Sequence, residues 1–250
     1  MNKLAYFSKP NDEELASSKD LSNLWQQVTK LRYDVFAEEL QQYSKNEDKM
    51  LEDPGEHFLT LSDKNNLIGY VSINSPEDRK YRMEKYFGKQ ILDNITQKVS
   101  EKAIIHEVRG LTINDEFRNQ GFAKLLMMGA LKFAHQNGAD NIIAMGHTEV
   151  LPMYRAIGMH VFEEYNVPAG DVVFYPMIVA VDQLMMLAGN EISALEIVDL
   201  IEHDDACYHG GASWDESGFD FNRRRELVVA DVLDSPFPPC PEVMKLISDN

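Results

Sequence analysis

Cysteine, tryptophan and long apolar runs are scarce in this sequence. Its 250 residues include only two cysteines, Cys207 and Cys240, and two tryptophans. Two cysteines cannot build a disulfide framework, and they fit a reducing compartment such as the cytoplasm. Residues 1–15 lack the apolar stretch of a signal peptide, and no run approaches the ~20 residues that cross a bilayer. We therefore expect a cytoplasmic protein with no membrane partner.

Basic residues are also in short supply. The chain has 24 Lys and Arg against 41 Asp and Glu, which gives a formal net charge of −17. Nucleic-acid binding requires Lys and Arg to neutralise phosphates, so nucleic acid is not an expected partner. Hydrophobic residues make up 44% of the chain, and its length allows one sizeable core with an appendage.

The spacing of apolar residues predicts an α/β fold. Leu21 to Leu40 recur at helical spacing, with Asp20 as the expected N-cap. Residues 1–19 are polar and are expected to be a flexible N-terminus. Further helices are expected within 75–100 and at 122–136, 149–157 and 191–201. Strands are expected at 57–61, 67–73, 103–113, 141–145, 159–162 and 171–181. Strand–helix alternation with hairpins at both ends predicts a mixed sheet in one domain, 20–182, followed by a helical and loop extension, 183–250.

A glycine-bearing turn joins the apolar strand ending at Ile113 to an amphipathic helix. Its sequence at residues 118–123 is Arg-Asn-Gln-Gly-Phe-Ala. Gly121 lets the backbone approach a ligand. The first N–H groups of the helix have no intrahelical partners and lie at the positive end of its dipole. The turn is therefore predicted to bind an anion such as a pyrophosphate, with Arg118 adding a charge.

This turn resembles the acyl-CoA loop of the GNAT acyltransferases, R/Q-x-x-G-x-G/A. The strand residues Leu111, Thr112 and Ile113 stand at the family's distance from it, and residues 153–159, Met-Tyr-Arg-Ala-Ile-Gly-Met, resemble the family's Y-x-x-x-G-F/M segment. The resemblance covers residues 20–181 and implies a GNAT-like, mostly antiparallel central sheet flanked by helices, with two middle strands splayed into a V. It implies acetyl-CoA or another acyl-CoA as co-substrate, and no metal. The implied CoA-binding residues are Leu111, Thr112, Ile113, Arg118, Asn119, Gln120, Gly121, Phe122, Ala123 and Lys124.

The N-terminal half is similar to a narrower branch, the acyl-homoserine-lactone synthases and N-acyl amino acid synthases. Residues 31–40 match their L-R-x-x-V-F/Y-x-x-E-L helix. Those enzymes then carry E-x-S-R, where this chain has Glu107-Val108-Arg109-Gly110 and so keeps only the Glu. Together with the good CoA loop, this departure favours acyl-CoA as donor over acyl-carrier protein, and a small-molecule amine or amino acid as acceptor. Arg32, Phe36 and Arg109 are the expected acceptor-binding residues.

Acyl transfer from a thioester to an amine requires a base for the ammonium and an acid for the thiolate. Glu107, four residues before Leu111, is the expected base, and His106 on the opposite face of the strand is the next candidate. A structural ion pair of Glu107 with Arg109 or Arg32 is the open alternative. Tyr154 is the expected acid, because a phenol stays neutral at pH 7; its alternative is a core tyrosine.

The expected activity is an N-acyltransferase that moves an acetyl or short acyl group from acyl-CoA to an amine. One alternative is an acyl-carrier-protein-dependent synthase, supported by a basic cluster at Arg79, Lys80, Arg82, Lys85 and Lys89, whose alternative is a solvated helix face. Another is a non-catalytic acyl-CoA-binding module of a fusion protein, because residues 233–241 resemble the start of a fold-type I aminotransferase; the open alternative is a Pro-rich tail docked on the core. A homodimer is left open. His203, Cys207 and His209 are too weak a pattern to predict a metal site.

Overall fold

The computed structural model describes residues 2–41, 55–75, 81–97, 99, 102–183 and 195–201, together with 245 and 248. The helices of these ranges are α1 (Asp12–Ser17), α2 (Lys19–Tyr33), α3 (Arg82–Phe87), α4 (Lys89–Thr96), α5 (Phe122–Gln136) and α6 (Leu151–Ala156). The strands are β1 (Asn2–Ser8), β2 (His57–Asp63), β3 (Asn66–Asn74), β4 (Ile105–Ile113), β5 (Asn141–His147), β6 (His160–Val161), β7 (Val167–Ala169), β8 (Val172–Ala180) and β9 (Ile197–Asp199).

All of these strands belong to one open sheet. Its order is β6-β8-β5-β4-β3-β2-β1-β9, and β7 pairs with β8. The pairs β4–β5 and β1–β9 are parallel and the other pairs are antiparallel. The predicted fold class, an α/β protein with a mixed and largely antiparallel sheet flanked by helices, is confirmed.

Helices cover both faces of the sheet. Neighbouring residues of a strand point to opposite faces and therefore pack against different helices. Tyr6 packs in the core that α5 forms with β1 to β5, whereas Phe7 packs with Val28 and Leu31 of α2. Met83 and Ile95, from α3 and α4, pack with β4, β5 and β8 in a further cluster. No helix in the described ranges combines the length and apolarity needed to cross a membrane.

Three expectations about the chain ends are corrected. Residues 2–17 are not loosely ordered, because β1 pairs with β2 over seven residues and α1 begins with a capping box at Asn11. Ser18, rather than Asp20, caps α2: its hydroxyl accepts the Leu21 N–H at 3.2 Å. Residues 197–199 form the parallel edge strand β9 rather than a helix.

Several sequence-based predictions fall on parts of the chain outside the described residues. These are Arg79 and Lys80 of the basic cluster, the His203/Cys207/His209 pattern and the aminotransferase-like segment 233–241.

The two parallel central strands separate in the middle of the sheet. β4 and β5 pair only from Ile105–Asn141 to Glu107–Ile143. Both strands then continue, β4 to Ile113 and β5 to His147, so their carboxyl ends diverge. This is the V that the family resemblance implies.

A β-bulge distorts β4 along the edge that pairs with β3, opposite the edge that faces β5. Tyr70 of β3 pairs with Thr112 and Ser72 pairs with Arg109, so Gly110 and Leu111 together face one residue of β3. Gly110 adopts φ +63°, a left-handed conformation that glycine tolerates without steric cost. The bulge turns the backbone of Gly110 and Leu111 out of the regular ladder at the point where the V opens.

Candidate active site

A cavity of about 130 Å³ lies in the V. The separated strand ends form its floor: Arg109, Gly110 and Leu111 from β4, and Met145, Gly146 and His147 from β5. The walls come from α2 and the segment after it, from α3, from α6 with the turn before it, and from β8: Arg32, Val35, Phe36, Leu40, Arg82, Tyr86, Val150, Met153, Tyr154 and Phe174.

The segment after α2 is a π-helical turn, Asp34–Glu39, in which the Leu40 N–H donates to the Val35 carbonyl at 2.9 Å. Such wide turns occur frequently at functional sites. Here the turn places Val35, Phe36 and Leu40 on one wall of the cavity. The guanidinium of Arg32 lies 5.4 Å from the centre of the Phe36 ring.

Three buried arginines share this cavity. Arg32, Arg82 and Arg109 are 4%, 8% and 7% exposed, and they come from α2, α3 and β4. The Arg82 guanidinium donates to the Tyr86 hydroxyl at 3.1 Å and lies 5.4 Å from the centre of its ring. In a chain of net charge −17 this concentration of buried cations is unusual. Guanidinium groups are well suited to bind a carboxylate or phosphate.

The described residues of the basic cluster that suggested an acidic carrier protein, Arg82, Lys85 and Lys89, do not form one surface. Arg82 is buried in the cavity wall, whereas Lys85 and Lys89 are exposed. Lys89 pairs with Asp93 one helical turn away at 3.1 Å. The described part of the cluster is therefore divided between the cavity and solvent.

Glu107 lies at the start of the V but does not line the cavity. It is 2% exposed, and its two carboxylate oxygens accept the backbone N–H groups of Arg82 and Met83, each at 2.8 Å. These are the first N–H groups of α3, which a helix cannot satisfy internally. The carboxylate therefore fixes the start of α3 against β4. Together with burial, the Glu107 charge raises the pKa of Tyr81 to about 12, with burial the larger cause.

Tyr154 lines the cavity from α6 and is almost completely buried. Burial raises the pKa of its hydroxyl to about 12, so the phenol keeps its proton throughout the neutral range. A neutral phenol beside a cavity is able to donate a hydrogen bond or a proton.

The predicted CoA loop has the backbone conformation that the sequence suggested. Gly121 is the N-cap of α5 with φ +85°, and Asn119 also has a positive φ, +63°. Gly121 has no side chain to cap the N–H groups of the first turn, and a Cβ built there would meet nothing within 4 Å. Asn119, Gln120 and Lys124 are exposed, while Phe122 and Ala123 are half-buried at the helix start. The loop is open to a ligand.

The Arg118 side chain takes part in ion pairs. Its guanidinium donates to both oxygens of Glu39, at 2.8 and 2.9 Å, and lies 3.1 Å from the Asp115 carboxylate. Its Nε donates to the Ile113 carbonyl at 3.2 Å. Arg118 thus ties the loop to the π-helical turn, and the contact with phosphate stays a prediction.

The structure brings part of the predicted site together in one cavity. Arg32, Phe36, Arg109, Leu111 and Tyr154 all line it. Two predicted strand residues lie further along β4, where Thr112 pairs with Tyr70 and Ile113 pairs with Gly69. His106 is buried within the paired part of β4. The roles assigned to all these residues stay predictions.

His147, the last residue of β5, is a cavity residue that was not among the predicted site residues. Its ring is half-buried in the cavity lining and meets Phe174 edge to face, with centroids 6.0 Å apart and planes at 76°. Its Nδ1 is buried and has no hydrogen-bond partner among the described residues. Burial lowers the pKa of the imidazole, and nearby Glu149 opposes this shift in part. The usable signal was its place at the carboxyl end of a parallel strand, where α/β sheets bind ligands.

The sheet opens into a V beside a helix start without a side-chain cap, and a cavity lies between the separated strands. The model of the acetyltransferase (GNAT) family matches residues 22–160. The chain belongs to this family and is an acyltransferase.

Comparison with solved structures gives the same fold at low sequence identity. The CoA-dependent acyl-homoserine lactone synthase BjaI, solved with SAM and isopentyl-CoA, has a TM-score of 0.62 and 13% identity over 82% of this chain and 96% of that one. FeeM, an N-acyl amino acid synthase from uncultured soil microbes, has a TM-score of 0.52 and 14% sequence identity, over 74% of this chain and 95% of that one. An acyl-CoA N-acyltransferase from Pseudomonas aeruginosa has a TM-score of 0.50 and 14% identity, over 71% of this chain and 99% of that one. The search of curated proteins found no match.

Proposed function

We propose that this acyltransferase moves an acetyl or short acyl group from acyl-CoA to the amino group of a small acceptor that carries a carboxylate, such as an amino acid. The observation that carries the proposal is the set of three buried arginines, Arg32, Arg82 and Arg109, in one cavity. A cavity of about 130 Å³ is well below the ~300–1,000 Å³ of pockets for larger ligands, so the acceptor is small.

In this proposal the donor binds along the backbone of the V and the loop. The pyrophosphate of CoA binds the first N–H groups of α5, next to Gly121, where the helix dipole favours negative charge. The pantetheine arm then runs along β4 from Ile113 toward Leu111. At the bulge, the Leu111 N–H lies outside the regular ladder, and it serves as the donor to the oxyanion that forms on the thioester carbonyl.

The acceptor enters from the arginine side of the same cavity. Its carboxylate binds the guanidinium groups, and the Phe36 ring supplies an apolar wall. This orients the amino group toward the thioester, which is the arrangement that lowers the entropic cost of the reaction. The names of two structural neighbours, a CoA-dependent synthase and an N-acyl amino acid synthase, support a donor and an acceptor of these classes.

Two further side chains complete the proposal. Tyr154 supplies a proton to the departing thiolate. Glu107 holds the start of α3 through the Arg82 and Met83 N–H groups, and thereby keeps the Arg82 side chain in the cavity.

The test is release of free thiol from acetyl-CoA and longer acyl-CoAs in the presence of matched acceptor pairs. Each pair consists of an amino acid and the amine that lacks its carboxylate, for example leucine and isopentylamine, or alanine and ethylamine. We expect turnover with amino acids and a higher KM, by about 10-fold or more, for the amines, because a charge-assisted hydrogen bond contributes about 1.5–3 kcal/mol. Equal KM values within each pair would contradict the carboxylate requirement, and no thiol release with any acceptor would contradict the proposed function.

A further inference from the structure

We propose that His147 is the general base that takes the proton from the acceptor ammonium. This role rests on the proposed function. The base of the reaction then lies at the end of β5. The sequence had instead suggested Glu107, which lies across the V on β4.

The position of His147 is the first argument. It is the last residue of β5, on the floor of the cavity, in the strand that faces the Leu111 bulge across the V. Tyr154 lines the same cavity from α6. An imidazole on one side and a neutral phenol in the same lining give the reaction a proton acceptor and a proton donor around one thioester.

The protonation state of His147 is the second argument. Burial lowers the pKa of the imidazole below its ordinary value, against the smaller opposing effect of Glu149. The other titratable or charged groups that line the cavity are Arg32, Arg82, Tyr86, Arg109 and Tyr154. Burial, the larger of the two causes, thus favours the neutral imidazole. His147 is therefore unprotonated, and able to accept a proton, at neutral pH.

The hydrogen bonds of the alternative base are the third argument. Both oxygens of Glu107 already accept backbone N–H groups of α3 at 2.8 Å, and the side chain does not line the cavity. The carboxylate is therefore committed to the start of α3 and lies away from the acceptor. The ring of His147, in contrast, lines the cavity.

Each proton in the reaction has a source and a destination. The ammonium of the acceptor gives one proton to the His147 imidazole, and the free amine attacks the thioester carbonyl. The C–N bond forms and the C–S bond breaks, while the thiolate takes a proton from the Tyr154 hydroxyl. The second proton of the attacking nitrogen replaces the one that Tyr154 gave up, and the imidazolium releases its proton to solvent. The products are the amide, CoA thiol and one proton.

The test is the pH–rate profile of His147→Gln, measured by thiol release with acetyl-CoA and the amino acid that gives the fastest turnover. Glutamine keeps a hydrogen-bonding side chain but cannot act as a base near neutral pH. We expect kcat at pH 7 to fall by about 10²–10⁴-fold. The acidic limb of the profile should disappear, and activity should return at high pH, where the amine is already free.

His160→Gln is the matched control. His160 is also half-buried and meets Phe162 edge to face, with centroids 4.8 Å apart, but it lies on β6 outside the cavity lining. We expect a wild-type pH profile for this variant. Thermal melting and acetyl-CoA binding establish that each variant is folded, and His147→Asn is the second variant if His147→Gln does not fold.

The two proposals fail in different ways. Wild-type kcat and an unchanged acidic limb in a folded His147 variant would overturn the base role alone. No thiol release from the unsubstituted protein with any acceptor would overturn the proposed function, and the base role with it. Loss of activity at every pH, without recovery when the amine is free, would also overturn the base role, because a missing base is bypassed at high pH.

Discussion

At the scale of single residues, burial and hydrogen bonding decide which groups can move protons. Tyr154 and His147 line one cavity. Burial raises the pKa of Tyr154 and lowers the pKa of His147, and both shifts favour the neutral side chain. Glu107 is more deeply buried than His147, but its oxygens are occupied by the start of α3. The chemical type of a residue therefore identified candidates for the acid and the base. The hydrogen-bond partners then distinguish a residue that holds the fold, such as Glu107, from one that is able to transfer a proton.

Glu107→Gln separates these two roles. The amide NH₂ of glutamine cannot accept the N–H of Arg82 or Met83, so one buried donor loses its partner. We expect the free energy of unfolding to fall by about 1–3 kcal/mol. The KM for the acceptor should rise, because Arg82 is no longer held in the cavity. Denaturant unfolding and steady-state kinetics measure both effects.

Glu163→Gln is the control for this change. Glu163 is an exposed carboxylate that pairs with Arg155, and exposed pairs contribute only about 0–1 kcal/mol. A Glu107→Gln protein of wild-type stability that has lost its acidic pH limb would instead identify Glu107 as the base, as the sequence suggested.

The predictable part of the site consists of residues in motifs. Arg32 and Phe36 belong to a helical motif, and Tyr154 and Gly121 to two others. Arg82 was assigned to a basic cluster, because its neighbours in sequence are charged and nothing local shows that α3 turns this side chain inward. His147 is an isolated histidine in sequence, and only the separation of β4 and β5 places it on a cavity floor.

At the scale of elements, the entry to α5 and its exit offer a matched test of the CoA loop. Gly121 and Gly138 flank the same helix, with φ +85° and +73°. Valine at either position is strained by ~1–2 kcal/mol or more, because β-branched residues disfavour a positive φ. Only at Gly121 would the new side chain stand between the helix N–H groups and a pyrophosphate.

We therefore expect Gly121→Val to weaken acetyl-CoA binding by more than about 10-fold, and Gly138→Val to lower stability with the CoA affinity unchanged. Isothermal titration calorimetry with acetyl-CoA, together with melting temperatures, measures both quantities. Equal CoA affinities in the two variants would contradict the assignment of the loop.

The elements that sequence reasoning missed lie at the sheet edge. The segment that forms β1 has a central apolar run, residues 4–7, that is buried on both faces of the sheet, but its polar flanks suggested disorder. β9 has only three residues and exists through its pairing with β1. Periodicity cannot identify a strand whose partner lies about 190 residues away. It predicted α5 at 122–136 correctly, whereas the helix expected from Leu21 to Leu40 ends at Tyr33 and continues as the π-helical turn.

At the scale of the whole molecule, the sign of the charge differs between the chain as a whole and the cavity. The net charge is −17, yet three arginines line the cavity. Acyl-CoA, the proposed donor, carries several negative charges on its phosphates. We therefore expect the protein to repel it at long range and to bind it only at close range. Repulsion of this kind is screened by salt, since the Debye length falls from ~30 Å at 0.01 M to ~8 Å at 0.15 M.

We expect the association rate constant of acetyl-CoA to rise as sodium chloride increases over this range, measured by stopped-flow displacement of a fluorescent CoA analogue. S-acetylpantetheine, which lacks the phosphates, is the control, and its rate constant should not change with salt. A rate constant for acetyl-CoA that falls with salt would mean that attraction by the cavity arginines outweighs the acidity of the chain.

The π-helical turn Asp34–Glu39 connects the cavity to the predicted CoA loop. Phe36 from this turn lines the cavity that we propose for the acceptor, while Glu39, three residues on, pairs with Arg118 of the predicted CoA loop. A wide turn contains one residue more than an α-helix needs, so deleting one residue would continue α2 and rotate the later part of the turn by about 100°. Phe36 and Glu39 could not both keep their partners after that rotation. The extra residue thus acts as a spacer. It lets one turn of backbone direct Phe36 into the cavity and Glu39 toward Arg118.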